Sequence, residues 1–462
     1  MKRSIRLLCF LYVLCCTVFV VAQPYAIQHL GVENGLSNNF VLSMAQDKRG
    51  CIWVATEVGL NRFDGNGFTV YKQHNSEITG DALNTLLYDE KEDVLWMGGK
   101  FGGLCAWEGK SGRFRTYQAR NGMKLENIVH LAKANDGGIW ITPRHSDPIY
   151  FDSRSHRFTS LSDMGIQLDC RSNLCAFADG DLLYVGHSRG GMSIIDLKKK
   201  TTCRMLHDPA VPQSLPGHSV YSLYKDRLGH LWVGTEWGLG LLDSSTGRFT
   251  VFRHVQGRTS SLVADHVYDI CETADGKLWI ACDVGGISIL DLSQITFKHP
   301  EEVCFENLLP AVTGKGLSSS NIRKVLQDSY GNIWIGNYSC GLDFISHRPP
   351  VFQICGDRPV YGMYRGEEGQ LWVGGENELL LYKNDSLAKR FDMSCSYGGL
   401  AAIMDDGQGF LLLGLSDGIL RTELRTGKIE RVPMGIRDVR IITFFRDTDE
   451  KIWIGTVLGL YS

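Results

Sequence analysis

The sequence predicts an all-β protein: a seven-bladed β-propeller followed by an incomplete second β-propeller of three blades. A tryptophan-centred unit, Asp-x-x-Gly-x-[Ile/Leu]-Trp-[Val/Ile]-Gly-Thr, recurs along the chain. Glycine is frequent (52 residues) and proline rare (12), which suits many short strands joined by tight turns. Almost no segment shows the 3.6-residue periodicity of an amphipathic helix. These observations together favour a repeat protein made of sheets.

The repeat occurs in ten copies, each marked by one anchor residue. Neighbouring anchors lie between 38 residues (Trp334 to Trp372) and 55 residues (Trp279 to Trp334) apart. This period is typical of propeller blades. Tryptophan is the anchor in eight copies, and the full set is Trp53, Trp96, Trp140, Tyr184, Trp232, Trp279, Trp334, Trp372, Leu412 and Trp453.

Each unit is predicted to form four strands. In the first copy they cover residues 40–46, 51–56, 59–63 and 68–73, and every turn between them carries glycine or aspartate. A sheet of this size cannot bury both of its faces alone, but radial stacking of successive sheets does so. We therefore expect the tryptophans to pack between blades and not to bind a ligand.

Two short segments indicate where the rings begin. Residues 25–30 resemble an outermost strand without its blade, and residues 351–355 resemble another. If the first of these completes the seventh blade, residues 23–350 form a closed propeller. Residues 351–462 then hold the first three blades of a second one. Because the tenth unit stops at Ser462, we expect the chain to be a fragment of a longer product or the product of a truncated gene.

The first 22 residues are predicted to be a secretory signal peptide. Lys2, Arg3 and Arg6 form a positive region, an apolar run follows, and the small residues Val20 and Ala22 precede a cleavage site. The chain is therefore predicted to be exported and periplasmic. An uncleaved N-terminal anchor is the alternative.

Composition argues against several classes of ligand. The formal net charge is only −3, so nothing indicates a nucleic-acid-binding surface. The cysteines are scattered without a CxxC pair, and no metal or cofactor site is predicted. Each Asp-x-x-Gly turn contributes a single aspartate, which is expected to cap its turn and not to bind calcium.

Three segments resemble the two-component-regulator propeller repeat. They are residues 35–73, 214–252 and 316–345. The resemblance implies the periplasmic sensor half of a hybrid two-component protein from glycan-degrading gut bacteria. Such proteins have two seven-bladed propellers, a β-sandwich, one membrane helix, a histidine kinase, a receiver and an AraC-type DNA-binding domain.

The same resemblance implies the ligand and the partners. The sensor would bind an oligosaccharide to control polysaccharide utilisation, and the parent protein would be a homodimer in the inner membrane. Membrane attachment would depend on a C-terminal segment that this sequence does not contain. No kinase, receiver or helix-turn-helix motif is present, so no enzymatic activity, cofactor or nucleic-acid partner is assigned to these residues.

Variable loop residues are the candidates for ligand binding. In a propeller, the residues four and five positions after each anchor share one face with the loops that precede each first strand, such as residues 36–39. Variation on a rigid frame is typical of a binding surface. Aromatic members would stack on sugar rings and charged members would hydrogen-bond hydroxyls. The candidates are Lys100, Phe101, Arg144, His145, Arg189, Glu236, Trp237, Asp283 and Tyr338, with Trp237 the strongest.

Two alternative functions remain open from the sequence. One is a stand-alone secreted propeller that acts as a protein-interaction module. The other is a propeller lyase or glycosidase with a central histidine or tyrosine, for which His145, His187 and Tyr338 are candidates. The sequence contains no HExxH or P-loop motif that would favour the enzyme.

Overall fold

The structure, a computed structural model, divides the chain into two compact units, Met1–Pro349 and Pro350–Ser462. It describes residues 25–119, 123, 125–295, 302–310, 316–347, 359–366, 370–383, 386–393, 399–423, 428–433 and 439–462. The predicted signal peptide and the predicted strand at 351–355 lie outside these residues. The described residues form 39 strands and two three-residue 3-10 helices, Val32–Asn34 and Leu292–Gln294, so the all-β prediction is confirmed. Neither of these helices is long enough to cross a membrane.

The described residues of the first unit form seven four-stranded antiparallel sheets. The first strand in the described residues is β1 (Ile27–Leu30). Sheet 1 contains β2 (Val41–Gln46), β3 (Ile52–Thr56), β4 (Gly59–Phe63) and β5 (Phe68–Tyr71). Sheet 2 contains β6 (Leu83–Asp89), β7 (Val94–Gly99), β8 (Leu104–Glu108) and β9 (Arg113–Tyr117). Sheet 3 contains β10 (Ile128–Lys133), β11 (Ile139–Pro143), β12 (Ile149–Asp152) and β13 (Arg157–Ser160).

The remaining sheets of this unit follow the same order. Sheet 4 contains β14 (Asn173–Asp179), β15 (Leu182–His187), β16 (Met192–Asp196) and β17 (Thr201–Met205). Sheet 5 contains β18 (Val220–Lys225), β19 (Leu231–Thr235), β20 (Gly238–Asp243) and β21 (Arg248–Phe252). Sheet 6 contains β22 (Val267–Glu272), β23 (Lys277–Cys282), β24 (Gly286–Asp291) and β25 (Glu306–Leu308). Sheet 7 contains β26 (Ile322–Gln327), β27 (Ile333–Asn337), β28 (Leu342–Ile345) and β1.

The seven sheets form a closed ring. The first strand of each sheet contacts the first strand of the next, from β2 through β6, β10, β14, β18 and β22 to β26, and β26 contacts β2 again. The outer position of sheet 7 is filled by β1, which pairs antiparallel with β28 in the register Ile27 to Ile345 and Leu30 to Leu342. Sheet 7 therefore combines strands from the two ends of the unit.

The core of the first unit lies between the sheets. Seven apolar clusters separate successive sheets, and each contains the anchor of one sheet packed on residues of the next. Trp53, for example, is fully buried against Leu86, Leu95 and Trp107 of sheet 2. The predicted role of the tryptophans in packing one blade on the next is confirmed.

The second unit contains three sheets in its described residues. Sheet 8 contains β29 (Gly362–Arg365), β30 (Gln370–Gly374), β31 (Glu378–Lys383) and β32 (Ser386–Asp392). Sheet 9 contains β33 (Ala402–Asp405), β34 (Phe410–Leu415), β35 (Gly418–Glu423) and β36 (Ile429–Val432). Sheet 10 contains β37 (Ile441–Arg446), β38 (Ile452–Thr456) and β39 (Gly459–Tyr461). The first strands of these sheets also contact one another in order.

Candidate functional site

A β-bulge interrupts the first strand of all seven sheets in the first unit at the same place. The register between first and second strand shifts by one residue there. A bulge leaves one residue unpaired, bends the strand and re-aims the side chain, which is why bulges often occur next to functional sites. The residues at the seven bulges are Leu42, Asn84, Val129, Leu174, Tyr221, Tyr268 and Arg323.

Three successive bulges build a stack of aromatic rings and a guanidinium group. The Cζ atom of Arg323 lies 3.6 Å from the ring centroid of Tyr268 and 4.3 Å from that of Tyr338. The ring of His266 stacks on Tyr268 with centroids 4.6 Å apart and an interplanar angle of 23°. Tyr221 contacts both His266 (4.7 Å) and Tyr268 (4.8 Å).

Phe40, which directly precedes β2 of sheet 1, completes the group by meeting Tyr338 edge to face, with centroids 5.1 Å apart. We call these six residues the central stack: Phe40, Tyr221, His266, Tyr268, Arg323 and Tyr338. They lie in or directly beside strands of sheets 1, 5, 6 and 7, and the first strands of these sheets line the inside of the ring.

Backbone hydrogen bonds hold the loops of the site in place. The residue that follows a second strand donates its N–H to the residue near the start of the first strand, as in Asp283 N to His266 O (2.9 Å) and Tyr338 N to Asn321 O (3.0 Å). The same bond joins Arg144 N to Asn127 O at 2.9 Å in sheet 3. The side chains at these loop positions thus differ from sheet to sheet, whereas the loop backbone is held in place by the sheets.

Charged groups of both signs surround the stack. Asp283 Oδ2 lies 3.8 Å from Nδ1 of His266. Burial lowers the pKa of His266, Asp283 opposes this shift, and Arg323 adds to it. Burial also raises the pKa of Tyr221, and Tyr268 and Glu236 raise it further while Arg144 lowers it. Burial of the ring therefore favours the neutral form of His266.

Two nitrogen atoms of the stack are buried without a hydrogen-bond partner among the described residues: Nε of Arg323 and Nε2 of His266. Leaving a buried donor or acceptor unsatisfied costs about 1–3 kcal/mol. Such groups call for an explanation, and a bound ligand or an ordered water is the usual one. The stack is therefore arranged to accept a polar partner.

The structure brings four of the predicted site residues to this place and leaves the others elsewhere. Tyr338 belongs to the stack, and Asp283 lies beside it. The charges of Glu236 and Arg144 are near enough to shift the pKa of Tyr221, the first upward and the second downward. Glu236 is held by the N–H groups of His218 (2.9 Å) and Ser219 (2.7 Å).

The remaining candidates do not contact the central stack in the described part of the chain. Lys100 lies over the ring of the exposed Phe101, with Nζ 5.7 Å from its centroid. Arg189 has an exposed side chain and a φ of 55°, and its N–H donates to Ser219 Oγ. His145 is exposed. Trp237 contacts two histidines at a separate groove, described below.

Five members of the central stack were not predicted from the sequence: Phe40, Tyr221, His266, Tyr268 and Arg323. A signal for them existed, because the residue before each first strand and the second residue within it differ between repeats, whereas the residue between them is apolar in six of the seven sheets. The bulge that holds Tyr221, Tyr268 and Arg323 is a feature of strand pairing and is not visible in the repeat pattern.

His187, one of the catalytic candidates, is a core residue. Its ring is fully buried, with Nδ1 3.1 Å from Asn173 Oδ1 and Nε2 2.8 Å from Ser193 Oγ. Burial lowers its pKa to about 4. The ring is fully engaged in hydrogen bonds and is closed to a substrate. Among the described residues, no group of three or more His, Cys, Asp or Glu side chains is placed to hold a metal ion.

Comparison with known proteins identifies the repeat. The profile of the two component regulator propeller family matches residues 35–58, 214–237, 261–283 and 316–339. A 46-residue segment is 44% identical to histidine kinase P4 of Formosa agariphila and covers 10% of this chain and 3% of that protein. The first unit thus contains four segments that match the two component regulator propeller repeat.

Solved structures show what these repeats form. The extracellular domain of the hybrid two component system BT3049 from B. thetaiotaomicron is 30% identical, with a TM-score of 0.61 over 95% of this chain and 59% of that chain. That of BT4673 is 18% identical, with a TM-score of 0.54 and coverages of 95% and 58%, and shares the fold. This chain therefore resembles the extracellular domains of hybrid two component systems and spans about three fifths of their length.

A propeller enzyme shares the fold as well. Virginiamycin B lyase from Staphylococcus aureus is 14% identical, with a TM-score of 0.53 over 70% of this chain and 100% of the lyase. At this identity the likeness concerns the fold alone, because one fold supports many unrelated functions. The propeller class predicted from the sequence is confirmed.

Proposed function

We propose that this chain is the ligand-sensing part of a hybrid two-component regulator and that an oligosaccharide binds on the central stack. The likeness to extracellular domains of hybrid two component systems supports a sensing role. The observation that carries the ligand class is the arrangement of Arg323 between the rings of Tyr268 and Tyr338.

The chemistry of the stack suits a sugar. Aromatic faces take up the apolar C–H face of a pyranose ring, and a few placed polar groups set its orientation. A hydroxyl both donates and accepts hydrogen bonds. Donors on Arg323 and Arg144 and acceptors on Glu236 and Asp283 therefore match a polyhydroxylated ligand better than a simple cation or anion.

The position of the stack offers a route from binding to signalling. Its residues come from sheets 1, 5, 6 and 7, so one ligand would contact strands from both sides of the ring closure. A ligand shifts a conformational equilibrium only through different affinities for the two states. In the proposed parent protein, a periplasmic homodimer anchored in the inner membrane would transmit this shift to a kinase.

Calorimetry tests the proposal. The purified chain is titrated with a panel of neutral and acidic oligosaccharides, and at least one is expected to bind. Tyr268→Ala is expected to weaken that binding at least tenfold, because it removes a stacking surface and one support of Arg323. The control is Tyr330→Ala, since Tyr330 is 66% exposed and lies in an Asp-x-x-Gly turn. Failure of the whole panel, or equal affinity in Tyr268→Ala, would refute the proposal.

A further inference from the structure

Trp237 is the most exposed tryptophan of the chain. It is 43% exposed, whereas eight of the ten tryptophans are buried and Trp453 is half-buried. Its ring meets His207 and His218 edge to face, with centroids 5.2 and 5.0 Å away. The backbone N–H of Trp237 donates to Thr235 Oγ1 at 3.1 Å. An indole held in place while half in water is a ready surface for a ring-shaped ligand.

A groove of about 580 Å³ opens beside this ring. It lies between sheets 5 and 6, and its walls include His207, Pro216, Phe252 and Phe305. His207 is oriented by the bond from its Nδ1 to Leu215 O at 2.7 Å. None of the groove-lining residues belongs to the central stack, so the groove is a separate place on the first unit.

Two arginines at the groove are oriented but not neutralised. Arg253 Nη2 donates to Pro216 O (3.2 Å). Arg258 donates from Nε to Ser260 Oγ (3.3 Å) and from Nη2 to Val303 O (3.0 Å). Neither forms an ion pair with any carboxylate in the described ranges, whereas Arg115, Arg171 and Arg227 each do. Since a guanidinium has five N–H donors, both arginines keep donors for a ligand.

We propose that this groove is a second carbohydrate site and that it binds a sugar residue carrying a carboxylate. The sugar ring stacks on Trp237, and its carboxylate pairs with Arg253 and Arg258. The groove holds one competing acid, Asp208, whose Oδ1 accepts from Ala210 N at 2.9 Å. The groove therefore carries two guanidinium groups without an ion pair and one carboxylate that already accepts a hydrogen bond. This balance of charge favours an anionic sugar, because arginine binds carboxylates through paired hydrogen bonds.

Fluorescence isolates this site. The probe is trigalacturonate, and galactotriose serves as the uncharged control of equal length. Trigalacturonate is expected to change the emission of the wild-type chain in a saturable way, and Trp237→Phe is expected to lose that change. Arg258→Gln is expected to weaken the affinity at least tenfold, and Arg253→Gln provides a second variant if Arg258→Gln fails to fold. Arg115→Gln, on an outer strand of sheet 2, is the matched control.

The results separate this inference from the proposed function. The Tyr268→Ala variant should keep the fluorescence response to trigalacturonate if the groove is an independent site. Loss of the response in this variant would overturn the inference. An equal response to galactotriose, or one that persists in Trp237→Phe, would also overturn it. If trigalacturonate gives no response while another oligosaccharide binds in a Tyr268-dependent way, the groove proposal fails and the proposed function stands.

Discussion

The indole Nε1 of Trp232 donates a 2.8 Å hydrogen bond to Oδ2 of Asp226, six positions earlier in the chain. Oδ1 of the same carboxylate accepts from the backbone N–H of His230 at 2.8 Å. One buried aspartate therefore closes the turn and satisfies the tryptophan of the next strand. The same bond joins the pairs Asp47–Trp53, Asp328–Trp334 and Asp447–Trp453. The six-residue spacing between aspartate and tryptophan in the repeat has this bond as its physical reason.

Replacement of Asp226 by alanine should destabilise the first unit strongly. The change leaves the indole N–H and a turn N–H without their acceptor in a buried place, so we expect a loss of about 2–4 kcal/mol in the free energy of unfolding. Urea unfolding followed by fluorescence measures it. Asp64→Ala is the control, since Asp64 also caps a turn but is exposed. Equal stability of the two variants would contradict the shared role of the carboxylate.

Strand β1 should hold the ring together through Ile27. This side chain packs on the cluster that contains Trp279 and Ile345, while its neighbour Gln28 is exposed. Ile27→Asp places a carboxylate against this cluster and is expected to cost about 2–4 kcal/mol. Gln28→Asp should have little effect. Both are compared by urea unfolding and limited proteolysis, and equal protease resistance would show that β1 is dispensable.

A charged pair should couple sheets 6 and 7. Asp269 accepts from Lys324 Nζ at 2.7 Å and from Val325 N at 3.0 Å. Asp269→Asn keeps an acceptor for the backbone but leaves the lysine unpaired, so a loss of about 2–4 kcal/mol is expected. In a double-mutant cycle with Lys324→Met, the coupling should reach about 1–3 kcal/mol. Additive effects of the two substitutions would exclude a net interaction.

Stability should fall as the pH is lowered from about 6.5 to about 4, in part because of His187. Its pKa is about 4 in the folded protein against an ordinary value of 6.5. As the pH falls, the unfolded chain therefore binds this proton before the folded protein does. The stability that neutral His187 contributes above pH 6.5 is lost over this range. The pKa shift corresponds to about 3 kcal/mol in the free energy of unfolding.

Unfolding curves between pH 7 and pH 4 test this dependence. His187→Gln should show a smaller loss of stability over the range than the wild-type chain, although it starts from a lower value. His145→Gln is the control because His145 is exposed. An unchanged slope in His187→Gln would show that another group controls the acid response.

Much of the fold was accessible from the repeat. The strands predicted for the first copy differ from those found by no more than two residues at any end, for example residues 68–73 against Phe68–Tyr71. This succeeded because turn glycines and aspartates are local signals. The site was harder to predict. Tyr338 and Asp283 were predicted as candidates from their loop positions, and the structure places them at the central stack, whereas it places Trp237, the leading candidate, at a separate groove.

The sequence by itself determined the four-stranded unit, its tryptophan anchor and the face on which variable residues gather, because all three repeat with a local period. Only the tertiary structure decided which variable residues meet. Phe40 and Tyr338 come from opposite ends of the first unit and touch because sheet 7 packs against sheet 1. Bulges in the first strands aim Tyr221, Tyr268 and Arg323 at a common point. Ring closure and strand register are long-range properties, so no single repeat reveals the stack that they create.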